Sequence, residues 1–87
     1  MPFPQSLRRL RLARFLSQAE LARQSGLHAV TISRLEAGGA KPSTRSVRAL
    51  ARSLAVTPGE LATPAEVAEA DRRSMRYLRK QPVATTN

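Results

Sequence analysis

The stretch Ser17-Gln-Ala-Glu-Leu-Ala22-Arg-Gln-Ser-Gly26-Leu-His28-Ala-Val-Thr-Ile-Ser-Arg-Leu-Glu36 decides how this chain folds. Ser17 followed three residues later by Glu20 reads as a capping box. The hydroxyl takes the amide of the third helical residue, and the carboxylate takes the amide of the cap. Leu16 and Leu21 stand where a hydrophobic staple places its two apolar residues. A helix therefore starts at about Gln18 and stops at Gly26, since glycine adopts the left-handed conformation that ends a helix at little steric cost. Leu27 leads into a further helix from about Ala29 to Ala37, with His28 as a weak cap and Gly38 and Gly39 ending it.

Outward from this pair the remaining elements are also helical. Leu7 and Leu10 share a face and predict a first helix from about Ser6 to Arg14, while the prolines of Met1 to Gln5 predict a loose start. Ser43 or Thr44 caps a helix in which Val47, Leu50, Ala51 and Leu54 form an apolar stripe. Thr57, Pro58 and Glu60 begin a short fifth helix, and Thr63, Pro64 and Glu66 begin a sixth that runs to about Lys80. Residues 81–87 read as a second loose terminus. Fourteen Ala and eleven Leu, with 3% aromatic residues, fit helices better than strands, and no segment alternates with a period of two. The expected fold class is all-α, with a helical extension over 63–80 after the first five helices.

The chain has 87 residues, enough for one small domain and too few for a multidomain enzyme. Fifteen Lys and Arg against six Asp and Glu give a net charge of +9, which points to a polyanionic partner. Residues 1–56 hold ten basic and two acidic side chains, so +8 of the excess lies there. Without Cys and with a single His, neither a disulfide framework nor a metal cage is expected, and no cofactor either. A nucleophile with a neighbouring base and a phosphate-cradling glycine loop are both missing from the pattern, so an enzyme is not expected. The short apolar runs predict neither a membrane span nor a signal peptide, hence a cytoplasmic protein without a membrane partner.

Two helices joined by a three-residue turn have the spacing of a helix-turn-helix, whose second helix enters the major groove of double-stranded DNA. Ala22 is small where the helices cross, Gly26 sits at the turn, and Ile32 and Leu35 give the second helix an inward edge. These four are read as architecture. Ala29, Val30, Ser33, Arg34 and Ala37 fall on the opposite face. Arg34 has the length and fork to take a guanine, Ala29 and Val30 suit thymine methyl groups, and Ser33 suits base or phosphate.

Ser17-Gln-Ala-Glu-Leu-Ala22, Gly26, Thr31-Ile-Ser-Arg-Leu-Glu36, Gly38, Pro42-Ser43 and Leu50-Ala51 to Leu54 resemble the Cro and phage-repressor (Xre-like) helix-turn-helix domains over about residues 6–62. The resemblance implies a lambda-repressor-like bundle that acts as a transcriptional repressor or regulator, binding a near-palindromic operator as a homodimer. It implies phosphate contacts at Gln18, Lys41, Ser43, Thr44 and Arg45, with His28, in place of the usual Ser or Thr cap, joining that set. Helix N-termini favour anions at such positions on physical grounds, although capping alone also explains Ser43 and Thr44. The resemblance further implies an ion pair between Arg11 and Glu36. Phe15 stands where the family usually has Gly, and Ser25 replaces a commonly apolar residue.

Three roles compete for the sixth helix: packing on its own domain, a dimer contact, or a cationic extension along DNA through Arg72, Arg73, Arg76, Arg79 and Lys80. The dimer contact is favoured. A restriction-modification controller and the antitoxin of a toxin pair, with the toxin as protein partner, use the same domain as a repressor. A protein-binding adaptor is a more distant alternative, and membrane binding through a helix without Trp or Phe is weaker still.

Overall fold

The computed structural model describes residues 1–80, with side chains described as far as Arg73. These residues form α1 (Phe3–Ala13), α2 (Gln18–Ser25), α3 (Ala29–Ala37), α4 (Thr44–Leu54), α5 (Pro58–Leu61) and α6 (Pro64–Lys80), with no strand among them. The start of α2 is the capping box read from the sequence. The Glu20 amide donates to Ser17 Oγ at 3.0 Å, and the Ser17 amide donates to Glu20 Oε1 at 2.8 Å. Gly26 ends α2 at φ +79°, its amide and that of Leu27 both returning to the Ala22 carbonyl. A β-carbon built at Gly26 meets nothing within 4 Å, so this position needs glycine for its backbone angle and not for space. Gly38 repeats the arrangement at the end of α3, with the Gly39 amide closing on the Arg34 carbonyl at 2.9 Å.

One apolar core gathers the inward faces of α1 to α5. Leu7, Leu21, Ile32, Leu35, Leu50, Leu54 and Leu61 are fully buried. Each such side chain contributes about 1.5–3 kcal/mol by leaving water. Ala22, at the α2–α3 crossing, is buried as well, and its small volume lets the two helices approach.

The first helix differs from its sequence-based boundary. It starts at Phe3, not near Ser6, and Met1 to Gln5 are not a loose end: Pro2 is the N-cap, Pro4 lies in the first turn, and Phe3 is 1% exposed. Prolines there disrupt nothing, because the first-turn amides have no partner within the helix. One of the donors that remain, the Phe3 amide, is taken by Glu66 Oε2 of α6 at 2.9 Å.

Between α1 and α2 the chain turns through Phe15, at φ +55° and 93% exposed. A bulky side chain in the left-handed region is strained. Ala55, at φ +58°, holds the equivalent position after α4.

Across this turn lies the buried ion pair. Arg11 Nε meets Glu36 Oε2 at 2.6 Å and Arg11 Nη2 meets Oε1 at 2.9 Å, in a bidentate fork whose side chains are 10% and 6% exposed. The third guanidinium nitrogen donates to the Leu16 carbonyl at 2.7 Å, and Gln18 Nε2 donates to Glu36 Oε1 at 3.1 Å. Burial pushes the Glu36 carboxyl upward, but the hydrogen bonds from Arg11 and Gln18 outweigh it and hold the group below its usual range. Hydrogen bonding to Glu36 likewise raises Arg11 against the opposing effect of burial.

Glu36→Ala leaves Arg11 as an uncompensated buried cation and lowers stability by about 3 kcal/mol, read as a thermal midpoint more than about 10 °C lower. An unchanged midpoint would show the pair to be energetically idle. Phe15→Gly relieves the positive φ and raises stability by about 1 kcal/mol in the same assay. The folded state holds Glu36 below its unfolded value, so its contribution is complete above about pH 4.3 and is lost as pH falls through the lower folded value. Glu20, Glu60, Glu66 and Asp71 shift in the same direction through hydrogen bonds to helix N-termini. Melts recorded against pH therefore stay flat from neutrality to about pH 5 and fall below about pH 4. Glu36→Gln makes that acid-side fall shallower.

Candidate nucleic-acid interface

With Ile32 and Leu35 committed to the core, the opposite face of α3 is fixed in the direction of solvent. Ala29, Val30, Ser33 and Arg34 are all exposed there, Val30 at 56% despite being apolar, and Ala37 completes the face. Among the described residues Arg34 makes no ion pair, which leaves its guanidinium available for an outside acceptor. Three side chains of small or moderate size surrounding one long cation give a surface that enters a groove without obstruction.

Around this face the predicted phosphate residues separate into two groups. His28, Lys41 and Arg45 are exposed, His28 as the N-cap of α3 without a side-chain cap bond, Lys41 in the α3–α4 loop and Arg45 in the first turn of α4. Gln18, Ser43 and Thr44 have partners inside the chain. Gln18 is half-buried and its amide group is spent on Glu36. Ser43 Oγ caps α4 by accepting from the Ser46 amide at 3.1 Å. Thr44 donates its amide to Asp71 Oδ1 at 3.0 Å and its hydroxyl to Asp71 Oδ2 at 2.6 Å, and those two bonds hold the Asp71 carboxyl below its usual range.

Asp71 carries no predicted role in the sequence, and Glu66 is predicted only as the cap of its own helix, a bond it makes to the Thr63 amide at 2.9 Å in addition to its bond to Phe3. The sequence signal for Asp71 is faint: a carboxylate between Val67 and the basic second half of the sixth helix. Nothing local announced its partner, which lies 27 residues away. Of the three roles considered for this helix, the structure fills the first for its N-terminal half. Val67 packs against the core, Glu66 bonds to α1 and Asp71 bonds to α4. Arg76, Arg79 and Lys80, on which the cationic-extension reading draws, lie outside the described side chains, as do Met75, Tyr77 and Leu78 of the same half of the helix.

No group of three or more His, Cys, Asp or Glu side chains that would hold a metal occurs among the described residues. No helix among them is long and apolar enough to cross a membrane.

Residues 7–61 match the model of a helix-turn-helix family. Among solved structures, the chain is similar to the restriction-modification controller protein C.AhdI from Aeromonas hydrophila. That similarity has 41% identity and a TM-score of 0.66, and covers 68% of this chain and 89% of that one. It is also similar to the DNA-binding domain of the P22 C2 repressor, with 26% identity and a TM-score of 0.67 over 70% of this chain and 80% of that one. A comparison with curated proteins gives no match. With the match spanning α1 to α5, α2 and α3 in its helix-turn-helix and α6 beyond its end, the chain belongs to the helix-turn-helix family of the Cro/C1 type.

Proposed function

We propose that this chain is a sequence-specific transcriptional regulator of double-stranded DNA, a repressor that binds a near-palindromic operator as a homodimer with α3 in the major groove. The observation that carries the reading is the outward face of α3, where Arg34 stands unpaired among Ala29, Val30 and Ser33 while Ile32 and Leu35 anchor the helix from behind. The charge supports it, because ten of fifteen basic side chains lie in residues 1–56 against two acidic ones. Arg34 reads a base, and Lys41, Arg45 and His28 hold the sugar-phosphate backbone. The 41% identity to a restriction-modification controller favours a second reading, in which the genes under control are those of a restriction-modification system.

Selection of bound sequences from a random duplex pool tests the proposal. The expected result is a near-palindrome whose half-sites lie one helical turn, roughly 34 Å, apart, because two copies related by a twofold axis present two α3 helices. Recovery of no sequence preference over a wide salt range would reject the reading in favour of a protein-binding adaptor. Sedimentation over a range of concentrations should show the mass moving from one chain toward two.

Reading and holding separate by mutation. Arg34→Ala loses about 1–3 kcal/mol on the selected operator and relaxes preference at one base pair in each half-site. Lys41→Ala weakens binding to all duplexes alike and lowers the salt slope by about one. Titrations on matched and singly substituted operators at several salt concentrations measure both. Should Arg34→Ala keep the full base preference and flatten the salt slope, Arg34 is a backbone ligand and specificity rests on Ala29, Val30, Ser33 or DNA shape.

A further inference from the structure

Helix α4 begins with a first turn that contains no acidic residue of its own. Its N-terminus nevertheless carries an anion. Asp71, 27 residues further along the chain, places one carboxylate oxygen on the Thr44 amide at 3.0 Å and the other on the Thr44 hydroxyl at 2.6 Å. A backbone amide at the head of a helix together with a hydroxyl beside it is the donor pair that a phosphate oxygen takes in the same position. The flanking residues Lys41 and Arg45 are exposed cations. Helix α6 also runs beside the loop that carries Lys41, since Glu69 and Arg73 line a cleft of about 200 Å³ with Gly38, Gly39, Ala40 and Lys41. The N-terminal half of α6, with Glu69 paired to Arg73 and Asp71 on Thr44, thus lies beside the segment that the proposed DNA contact requires.

We infer that Asp71 is a built-in substitute for a DNA phosphate, so that docked α6 and a phosphate on Thr44 exclude each other and α6 restrains DNA binding. This inference rests on the DNA-binding reading above and adds its regulation. The two Thr44 donors cannot serve both anions at once, and a second negative charge beside the Asp71 carboxylate is repelled. The contact is also suited to being opened. It lies at the surface, where hydrogen bonds and charges are worth little against water, and α6 keeps a separate anchor at its start through Glu66 on the Phe3 amide and Val67 on the core. Helix α6 is able to lift at Asp71 while remaining hinged at its N-terminus. Each bound duplex then meets a chain in which part of the population is blocked, and its apparent affinity is reduced by the blocked fraction.

The test compares Asp71→Asn with Glu60→Gln in the full chain. Both remove one negative charge, but Glu60 caps α5 through Thr57 at the far end of α4 from Thr44. Asp71→Asn should bind both the selected operator and an unrelated duplex roughly threefold to tenfold more tightly, with Glu60→Gln well below that gain. Equal gains would reduce the effect to net charge and overturn the inference. A lower affinity for Asp71→Asn would also overturn it, by showing that the Asp71 contact supports the bound state. A second measurement needs no variant. On saturation of the unaltered chain with duplex, the NMR signals of the Asp71 carboxylate should move toward those of a carboxylate without its Thr44 hydrogen bonds, and unchanged Asp71 signals would overturn the inference. Should neither the unaltered chain nor Asp71→Asn bind any duplex, the DNA-binding reading fails and takes the inference with it. Binding by both without a difference rejects the restraint and leaves the DNA reading in place.

Discussion

The bidentate pair between Arg11 and Glu36 is the constraint around which the other elements are arranged. Apolar packing of Ile32 and Leu35 decides which face of α3 turns inward, but packing alone tolerates small slides along the helix axis. A fork of two charge-assisted hydrogen bonds tolerates far less, because it needs two donor-acceptor distances satisfied together. Glu36 lies near the end of α3 and Arg11 near the end of α1, so the pair fixes the far end of α3 against the first helix. The same guanidinium closes the α1–α2 turn on the Leu16 carbonyl, and the same carboxylate tethers Gln18 at the head of α2. Removing a charge from water is costly in itself, so a close buried pair adds less net stability than its geometry suggests, whereas removal of one partner leaves the other charge buried and is costly.

Acidic residues are few in this chain, and their placement gives the charge imbalance a structural meaning. Glu20, Glu60 and Glu66 each close a cap at the start of their own helices. Glu36 neutralises Arg11, and Asp71 and Glu66 reach across to the heads of α4 and α1. Both of those helices lack an acid in their own first turn. Five of the six carboxylates are thus occupied at helix ends or in the buried pair. Glu69, at the surface with Arg73, is the sixth. Among the described residues, Arg11 and Arg73 are the basic side chains held in ion pairs. Around α3 the exposed side chains Arg34, Lys41 and Arg45 are cationic, while the carboxylates of the described residues lie mainly at helix starts and in the buried pair.

What the sequence revealed followed the range of the interaction that carried it. Caps and left-handed ends act over three or four residues, so Ser17 with Glu20, Gly26 and Gly38 marked α2 and α3. The apolar stripe of α4 was legible for the same reason. Arg11 and Glu36, 25 residues apart, were suggested by resemblance to a family and by nothing in their spacing. Glu66 and Phe3, 63 residues apart, and Asp71 and Thr44 had no such guide. The N-terminal prolines misled because proline is tolerated in a first helical turn as well as in a loose end, and only the burial of Phe3 distinguishes the two. At the candidate site, the face of α3 was legible from helical periodicity, whereas the internal partners of Gln18 and Thr44 were not.

Those hidden partners change what the interface is made of. A family pattern transferred residue by residue treats Gln18 and Thr44 as free donors waiting for phosphate. In the folded chain one belongs to the buried pair and the other to α6. The residues that remain open are Arg34 on α3, His28 at its head, Lys41 in the loop and Arg45 at the start of α4. Three of these four are long cations, each of which reaches an anion without moving the backbone. Thr44 is different in kind, because its amide is offered only when another helix gives it up. On the proposed reading, a duplex that approaches through α3 would meet a face held in place by Arg11 and Glu36, beside an α4 N-terminus that Asp71 of α6 occupies.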